Sequence, residues 1–332
     1  MTKYKIATIP GDGIGPEVTR AGVSVLRKLE TVEDISFEFK ELNAGDEYKA
    51  KTGVALPPET LDEVRKSDAA LFAAVGETAK EVILPLRQKL DLYVNLRPTK
   101  VYPRVPAVKD NLDIVIVREN TEGLYKMIGD RGPDYGFNVR IITRGASERI
   151  ARYAFEYSRK EGRKQVTCVH KANVLDKTCT IFQEACRSVA KEYSDIKYNE
   201  QIVDACAMRM VLNPEYFDVI VTTNMFGDIL SDEAAGLVGG LGLAPSGNIG
   251  EKYAIYEPVH GSAPDIAGKG IANPIATILS AGLMLGWLGE NKAEKMIEDA
   301  VMKVLVEGKT LTPDLGGSAS TKELAAAIAS KI

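Results

Sequence analysis

The chain has 332 residues, 45% of them hydrophobic and 27% charged. This is long for a single small core and sufficient for two lobes, and the composition excludes disorder as the main state. Its 42 basic and 46 acidic side chains leave a formal charge of -4. That balance gives no electrostatic reason for a nucleic-acid or anionic-membrane partner, and points instead to small, specific ligands. Cys168, Cys179, Cys186 and Cys206 show neither CxxC spacing nor disulfide-framework density. They read as reduced thiols of a cytoplasmic protein, with no cysteine metal site.

In chain order, Met1 to Pro10 lacks the pattern of a signal peptide, and Tyr4 to Ile9 reads as a first strand, followed by a helix over Glu17 to Leu29. A strand over Ala69 to Val75 precedes a helical segment over Ala79 to Leu90, where Pro85 disfavours helical geometry at Leu84 and predicts a restart. Ile114 to Val117 and Val166 to Val169 are further strands, and Glu148 to Arg159 is a helix. Between them, Lys126 to Arg144 carries Gly129, Gly132, Pro133 and Gly136 and then the β-rich run Phe137 to Thr143, as a projecting hairpin arm or a plain surface hairpin would. Ile271 to Gly289 has no charge, but Asn273, Pro274 and Gly282 interrupt it, which fits a buried core helix better than a membrane span. The alternation of strands and helices predicts an α/β protein with helices over a largely parallel sheet.

Polar groups collect after the apolar strands. Arg118, Glu119 and Asn120 follow one, His170, Lys171 and Asn173 a second, and Glu257 and His260 a third. In open α/β sheets ligands bind at the carboxyl ends of strands, which favours one shared cleft. The glycines of Gly11-Asp12-Gly13-Ile14-Gly15 are spaced i, i+2, i+4 and not as in a dinucleotide fingerprint, and a tight turn into a helix accounts for them. Around Gly308-Lys309-Thr310, Lys303 stands where a phosphate loop needs glycine, which removes the support for a phosphoryl transferase.

Asp228 and Asp232, four apart, share a face of any helix formed there. Such carboxylates suit Mg²⁺ or Mn²⁺, with Asp204 as a candidate third ligand, although an acidic solvated face uses the same spacing. Arg87, Arg97 and Arg118 could clamp a polycarboxylate by paired hydrogen bonds, or serve singly as surface cations. Lys171 is a candidate base and Tyr125 a candidate acid. Only His170 and His260 are present, so a zinc site built from histidines is not expected, and His260 is free to pack against a flat ligand ring.

The segments Ile9 to Glu17, Asn95 to Pro98, Val117 to Tyr125, His170 to Val174, Asn224 to Asp232 and Glu257 to Gly268 together resemble the β-decarboxylating dehydrogenases, the family that acts on isopropylmalate, isocitrate, homoisocitrate and tartrate. The resemblance implies an isocitrate/isopropylmalate dehydrogenase-like fold with a large mixed sheet, distinct from the Rossmann fold. A first domain would take residues 1–93 and 239–332, and an inserted second domain 94–238, with the arm at 126–144. It also implies a homodimer with shared active sites, Lys171 and Asp204 reaching across. Arg87, Arg97 and Arg118 would hold substrate carboxylates, Asp204, Asp228 and Asp232 the divalent cation, and Tyr125 and Lys171 would move protons. Hydride transfer to a nicotinamide would be followed by metal-assisted loss of CO₂.

By the same resemblance Asn173, Glu257, His260, Gly261, Asp265, Ile266 and Asn273 would bind the cofactor. The carboxylate of Asp265 suits ribose hydroxyls and repels a 2′-phosphate, so NAD is expected. The family reads the substrate just before Arg87. There Ile83 and Leu84 would offer an apolar pocket, which favours 3-isopropylmalate and a role in leucine biosynthesis over isocitrate, homoisocitrate or tartrate/malate. A catalytically silent regulatory subunit is the other class to test. Gly247 stands where relatives commonly have alanine, and added backbone freedom is expected there.

Overall fold

A computed structural model describes residues 1–332. The chain opens with strand β1 (Thr2–Gly11), helix α1 (Gly15–Leu29), β2 (Ile35–Glu41), α2 (Asp46–Thr52), α3 (Pro58–Lys66), β3 (Ala69–Ala74) and α4 (Ala79–Lys89). It continues through β4 (Val94–Lys100), β5 (Asp113–Glu119), the short strands β6 (Gly129–Arg131) and β7 (Gly136–Asn138), α5 (Arg144–Lys160), β8 (Gln165–His170), α6 (Asp176–Ala190), β9 (Lys197–Ile202), α7 (Val203–Leu212), β10 (Val219–Thr222) and α8 (Asn224–Leu237). It closes with β11 (Pro245–Ile249), β12 (Ala254–Pro258), α9 (Ile275–Trp287), α10 (Asn291–Glu307) and α11 (Thr321–Ala329).

Two compact units result. The first comprises Met1–Leu90, Tyr102–Ala107 and Gly239–Ile332, and the second Asp91–Val101 and Val108–Val238. The short piece Tyr102–Ala107, inside the insert on the sequence reading, clusters with the first unit because Val105 fills the space over Gly239.

In the first unit the strands run β2-β1-β3-β12-β11, parallel except for the antiparallel pair β11 and β12. In the second they run β4-β5-β10-β8-β9, antiparallel only between β4 and β5. The mixed sheet follows from these exceptions, because β1, β3, β5, β8 and β10 are all joined by helical crossovers, which impose parallel pairing. β3 is buried at every position, as a strand covered on both faces must be. α9 is buried nearly all round and packs on α10, and no helix is long and apolar enough to cross a membrane.

Three local expectations are corrected. α4 runs unbroken through Pro85; the proline ring removes one hydrogen bond, while buried Val82 and Leu86 hold both halves against the core. In the arm, only Phe137 and Asn138 of the run Phe137 to Thr143 are paired as strand, in a three-residue ladder with β6, and Ile141 bridges to Gly123 alone. Gly247 is not a point of backbone freedom: a Cβ there would lie 2.6 Å from the Tyr256 ring, so the glycine makes room for a buried aromatic on the paired strand.

Candidate active site

In the second unit, α8 buries Phe226, Leu230, Ala234 and Leu237, and the last three join a core with Ile114, Ile116 and Ile220. This anchoring leaves Asn224, Asp228, Ser231 and Asp232, spaced i, i+4, i+7 and i+8, to share another face. The antiparallel register sets Arg97 opposite Ile116, so Arg97 and Arg118 lie on one side of the sheet. Both guanidinium groups meet α8, and a Cβ at Gly227 would come within 2.6 Å of the Arg118 side chain, so only glycine admits its stem.

The resulting cluster is tightly bonded. Arg118, 1% exposed, donates from Nε and Nη2 to Asn224 Oδ1 at 3.1 and 2.7 Å, and from Nη1 to Asp228 Oδ1. Arg97 Nη1 donates to Ser231 Oγ at 2.6 Å and Asp232 Oδ1 at 3.1 Å, and lies 3.4 Å from Asp228 Oδ1. Tyr125 stands on a helical turn after the loop that follows β5; its hydroxyl donates to Asp228 Oδ2 at 2.5 Å, and Arg118 lies over its ring. Burial, reinforced by the charge of Asp228, lifts the Asp232 carboxyl above its ordinary range despite Arg97 and Arg118. Two carboxylates four residues apart on one helical face, whose mutual repulsion a cation relieves, are suited as a pair of hard oxygen ligands.

Lys171 and Asp204 are brought to each other and not to this cluster. Lys171 Nζ donates to Asp204 Oδ1, and that bond holds the exposed Asp204 carboxyl below its usual range. No group of three or more His, Cys, Asp or Glu within one chain is placed to hold a metal ion. One copy therefore brings together the oxygens of Asp228 and Asp232 but not of Asp204. The turn carrying Lys171 is pinned by His170, whose Nδ1 accepts the Ala172 N–H at 3.1 Å. Burial lowers the His170 pKa, with help from Arg187 and against the pull of Glu200. Asn173 is exposed beside it.

In the first unit, Arg87 is buried on Glu257: Nη2 donates to Oε1 at 3.1 Å, and the same oxygen accepts from Asn248 Nδ2 at 2.7 Å. Two residues assigned by resemblance to different ligands are thus an ion pair here. Ile83 and Leu84 remain half-exposed on α4 while Val82 and Leu86 are buried. His260 donates from Nδ1 to Gly261 O, which leaves the buried Nε2 as an acceptor without a partner, and burial lowers its pKa. Asp265 and Gly261 are exposed, and Ile266 packs in part against Ile14 and Val18. Ala263 holds the left-handed conformation at φ 41°, a strained geometry for a residue with a side chain. Asn273 is committed to structure: its Oδ1 accepts the Ile275 N–H that opens α9, and its Nδ2 donates to Asp314. An orphaned imidazole acceptor and an unpaired carboxylate on one loop fit a ligand rich in hydroxyl and amino donors.

Sequence reasoning has Asn224 only as a polar residue at a strand end and did not assign a role to Ser231; both orient the guanidinium groups, and their spacing from Asp228 and Asp232 carries that signal. Nor did it single out Asp12, which accepts from the backbone N–H groups of Asp46, Glu47 and Gly76 at 2.8, 3.0 and 3.1 Å.

Compared with known proteins, residues 5–328 match the family model described as isocitrate/isopropylmalate dehydrogenase. The chain is 56% identical over 331 residues to 3-isopropylmalate dehydrogenase of Archaeoglobus fulgidus, covering 98% of each. It is 54% identical to 3-isopropylmalate dehydrogenase of Methanothermobacter thermautotrophicus, covering 99% of this chain and 98% of the relative. With isocitrate/homoisocitrate dehydrogenase of Thermus thermophilus it shares 49% identity, over 98% and 97% of the two chains. A crystal structure of isocitrate dehydrogenase from Methylococcus capsulatus superposes with a TM-score of 0.94 at 44% identity, over 99% of both chains.

Proposed function

Because this chain belongs to the isocitrate/isopropylmalate dehydrogenase family, we propose that it catalyses the NAD-dependent oxidative decarboxylation of 3-isopropylmalate to 4-methyl-2-oxopentanoate, the step of that chemistry in leucine biosynthesis. Members of the family act on small hydroxy acids with a nicotinamide cofactor and a divalent metal. The observation that carries the reading is the convergence of Arg97, Arg118, Tyr125, Asp228 and Asp232. Two guanidinium and two carboxylate groups sum to zero formal charge, so a dication and a dicarboxylate dianion together enter without upsetting the balance.

Arg97 and Arg118 would hold substrate carboxylates, as planar donor pairs matched to carboxylate geometry. Asp228 and Asp232 supply hard oxygen ligands for Mg²⁺ or Mn²⁺, completed by Asp204 of a second copy. Bound at these residues, a nicotinamide cofactor would supply the hydride acceptor and the cation the Lewis acidity that eases loss of CO₂. Lys171 of that second copy would take the substrate hydroxyl proton at Nζ, and the Tyr125 hydroxyl, already aligned by Asp228, would deliver a proton to the carbon that loses CO₂. Within the first unit, Asp265 would accept from the adenosine ribose, and Glu257, His260, Gly261 and Ile266 would line the remainder of the NAD site. Apolar side chains left exposed on the arm, α7 and α8, among them Phe137, Met208, Leu212 and Ile229, support a homodimer.

Ile83 and Leu84 support an alkyl group on the substrate. The isocitrate/homoisocitrate relative at 49% identity motivates the rival acids. A panel of 3-isopropylmalate, isocitrate, homoisocitrate and tartrate with NAD or NADP and Mg²⁺ tests the choice. At least tenfold higher kcat/KM on 3-isopropylmalate with NAD is expected, and equal or better turnover of isocitrate overturns it. Absence of reduced nicotinamide with every acid supports the silent-subunit alternative.

A further inference from the structure

The arm is fastened to the catalytic cluster by two polar side chains outside the roles above. Glu122 lies in the loop between β5 and the turn bearing Tyr125, and its carboxylate accepts both donors of Thr143, the N–H and the hydroxyl, each at 2.8 Å. Thr143 caps α5 where the returning leg of the arm ends. One residue on, Gly123 N–H donates to Ile141 O at 2.8 Å, so the same leg is held twice. The Glu122 carbonyl also accepts from Asn224 Nδ2 at 3.3 Å, and the oxygen of that amide takes two N–H groups of Arg118. The Asn224 amide is thereby fixed in orientation, oxygen toward the guanidinium.

Arg140, on the same leg, reaches the other way. Its Nη2 donates to Thr223 Oγ1 at 3.1 Å, its guanidinium lies over the Phe226 ring, and its Nη1 bonds Thr178 in the first turn of α6, a few residues after Lys171. Arg140 thus ties the arm to the start of α8, which carries Asp228, and to the helix that follows the Lys171 turn.

We propose that Glu122 and Arg140 are positioning residues that couple the placement of the arm at 126–144 to the geometry of Arg118, Tyr125 and Asp228. This rests on the reading of that cluster as the reacting site. The physical basis is that a carboxylate accepting two donors, and a guanidinium bridging two helices, each fix relative position far better than a single neutral hydrogen bond. An arm free to move carries the Glu122 carbonyl with it, turns Asn224 and loosens the Arg118 and Tyr125 contacts with Asp228. Contiguous contacts alone do not establish coupling, so the test must read both ends.

The test compares the full-length enzyme with Glu122→Gln and Arg140→Lys by amide hydrogen exchange and by steady-state kinetics, with unfolding midpoints as the fold control. Glutamine keeps one acceptor for the Thr143 N–H and must donate to the hydroxyl instead of accepting from it, which replaces a charge-assisted pair by weaker neutral bonds. Expected are at least fivefold faster exchange in segments 118–126 and 139–146 of Glu122→Gln and a kcat at least tenfold lower. KM for NAD should stay within twofold. Arg140→Lys moves the same readouts less, and carries the test should Glu122→Gln fail to fold. Exchange of 118–126 at the wild-type rate, or kcat within twofold of wild type in both variants, overturns the coupling. A wild-type enzyme inactive on every acid defeats the functional reading instead, and the exchange data then decide this inference alone.

Discussion

Two sets of carboxylates, one in each unit, play opposite parts. In the first, Asp12 accepts three backbone N–H groups, Asp46 accepts from Glu77 N, Thr78 N and the Thr78 hydroxyl, and Glu17 from Gly270 N and Ala272 N. These acids fasten loops at strand ends and have no bonding capacity to give a ligand without loosening a turn. In the second, Asp228 and Asp232 accept from the side chains of Arg97, Arg118 and Tyr125, which can re-pair with a bound acid or cation. A carboxylate bonded to backbone builds the site, whereas one bonded to ionisable side chains can take part in it. The glycine-rich turn, read from its spacing as a tight turn into a helix, is likewise architecture: Gly13 is left-handed and abuts Ser262 O, and Ile14 N–H donates to that same carbonyl at 2.9 Å.

The sharpest way to break this contrast is to remove a chemical group that builds nothing. Lys171→Ala is expected to lower kcat by about 10²–10⁴-fold, the usual worth of a positioned proton acceptor. Its only ion pair is with exposed Asp204, so the urea midpoint should stay near wild type. A large loss of stability with little loss of rate would place Lys171 among the builders.

Asp12→Asn is the converse. The amide offers one acceptor oxygen and turns two donors toward N–H groups, so the variant should lose about 2–4 kcal/mol of unfolding free energy, from one or two buried amides left unpaired. Urea denaturation followed by circular dichroism measures it. An unchanged midpoint would show that the three amides find other partners, and the division between the units would fail.

How far these roles could be read from sequence follows the same division. Arg118, Tyr125, Lys171, Asp228 and Asp232 stand in contiguous motifs at strand ends or on one helical face, where type and spacing reveal the chemistry. The partners of Arg87 and Asp12 do not. Glu257 lies 170 residues from Arg87, and Gly76 lies 64 from Asp12, so both pairings exist only once the parallel strands are assembled. Local rules also mislead where packing outweighs them, as at Pro85, held in helix by Val82 and Leu86, and at Gly247, whose neighbour Tyr256 arrives from the next strand.

Within the first unit, α4 sharpens the contrast, because it presents side chains that hold no loop in place. Ile83→Asn should reduce kcat/KM for 3-isopropylmalate relative to isocitrate by about 10–200-fold, the range for lost methylene contacts in an apolar pocket. Since Ile83 is half-exposed, the midpoint should hardly move. An unchanged substrate ratio would remove α4 from recognition.

The smallest effect is a pH dependence that tests whether His170 belongs with the builders. Its imidazole is neutral in the folded chain because Nδ1 must accept the Ala172 N–H and because burial, aided by Arg187, lowers its pKa below 6.5. Glu200, 3.8 Å from Nε2, opposes that shift, and Gln183 packs on the same nitrogen. A depressed pKa means that the unfolded chain takes up the proton first as pH falls. The stabilisation is therefore complete above about 6.5, the ordinary histidine value, and is lost as pH drops toward the lower folded value. Unfolding free energies at pH 7.5 and 5.5 should differ more for wild type than for His170→Asn, whose side-chain oxygen can accept the Ala172 N–H without titrating. His260 shifts in the same direction in both proteins and cancels in the comparison. Equal pH dependence in the two would show that His170 carries its proton in the folded state, and the Lys171 turn would then need another anchor.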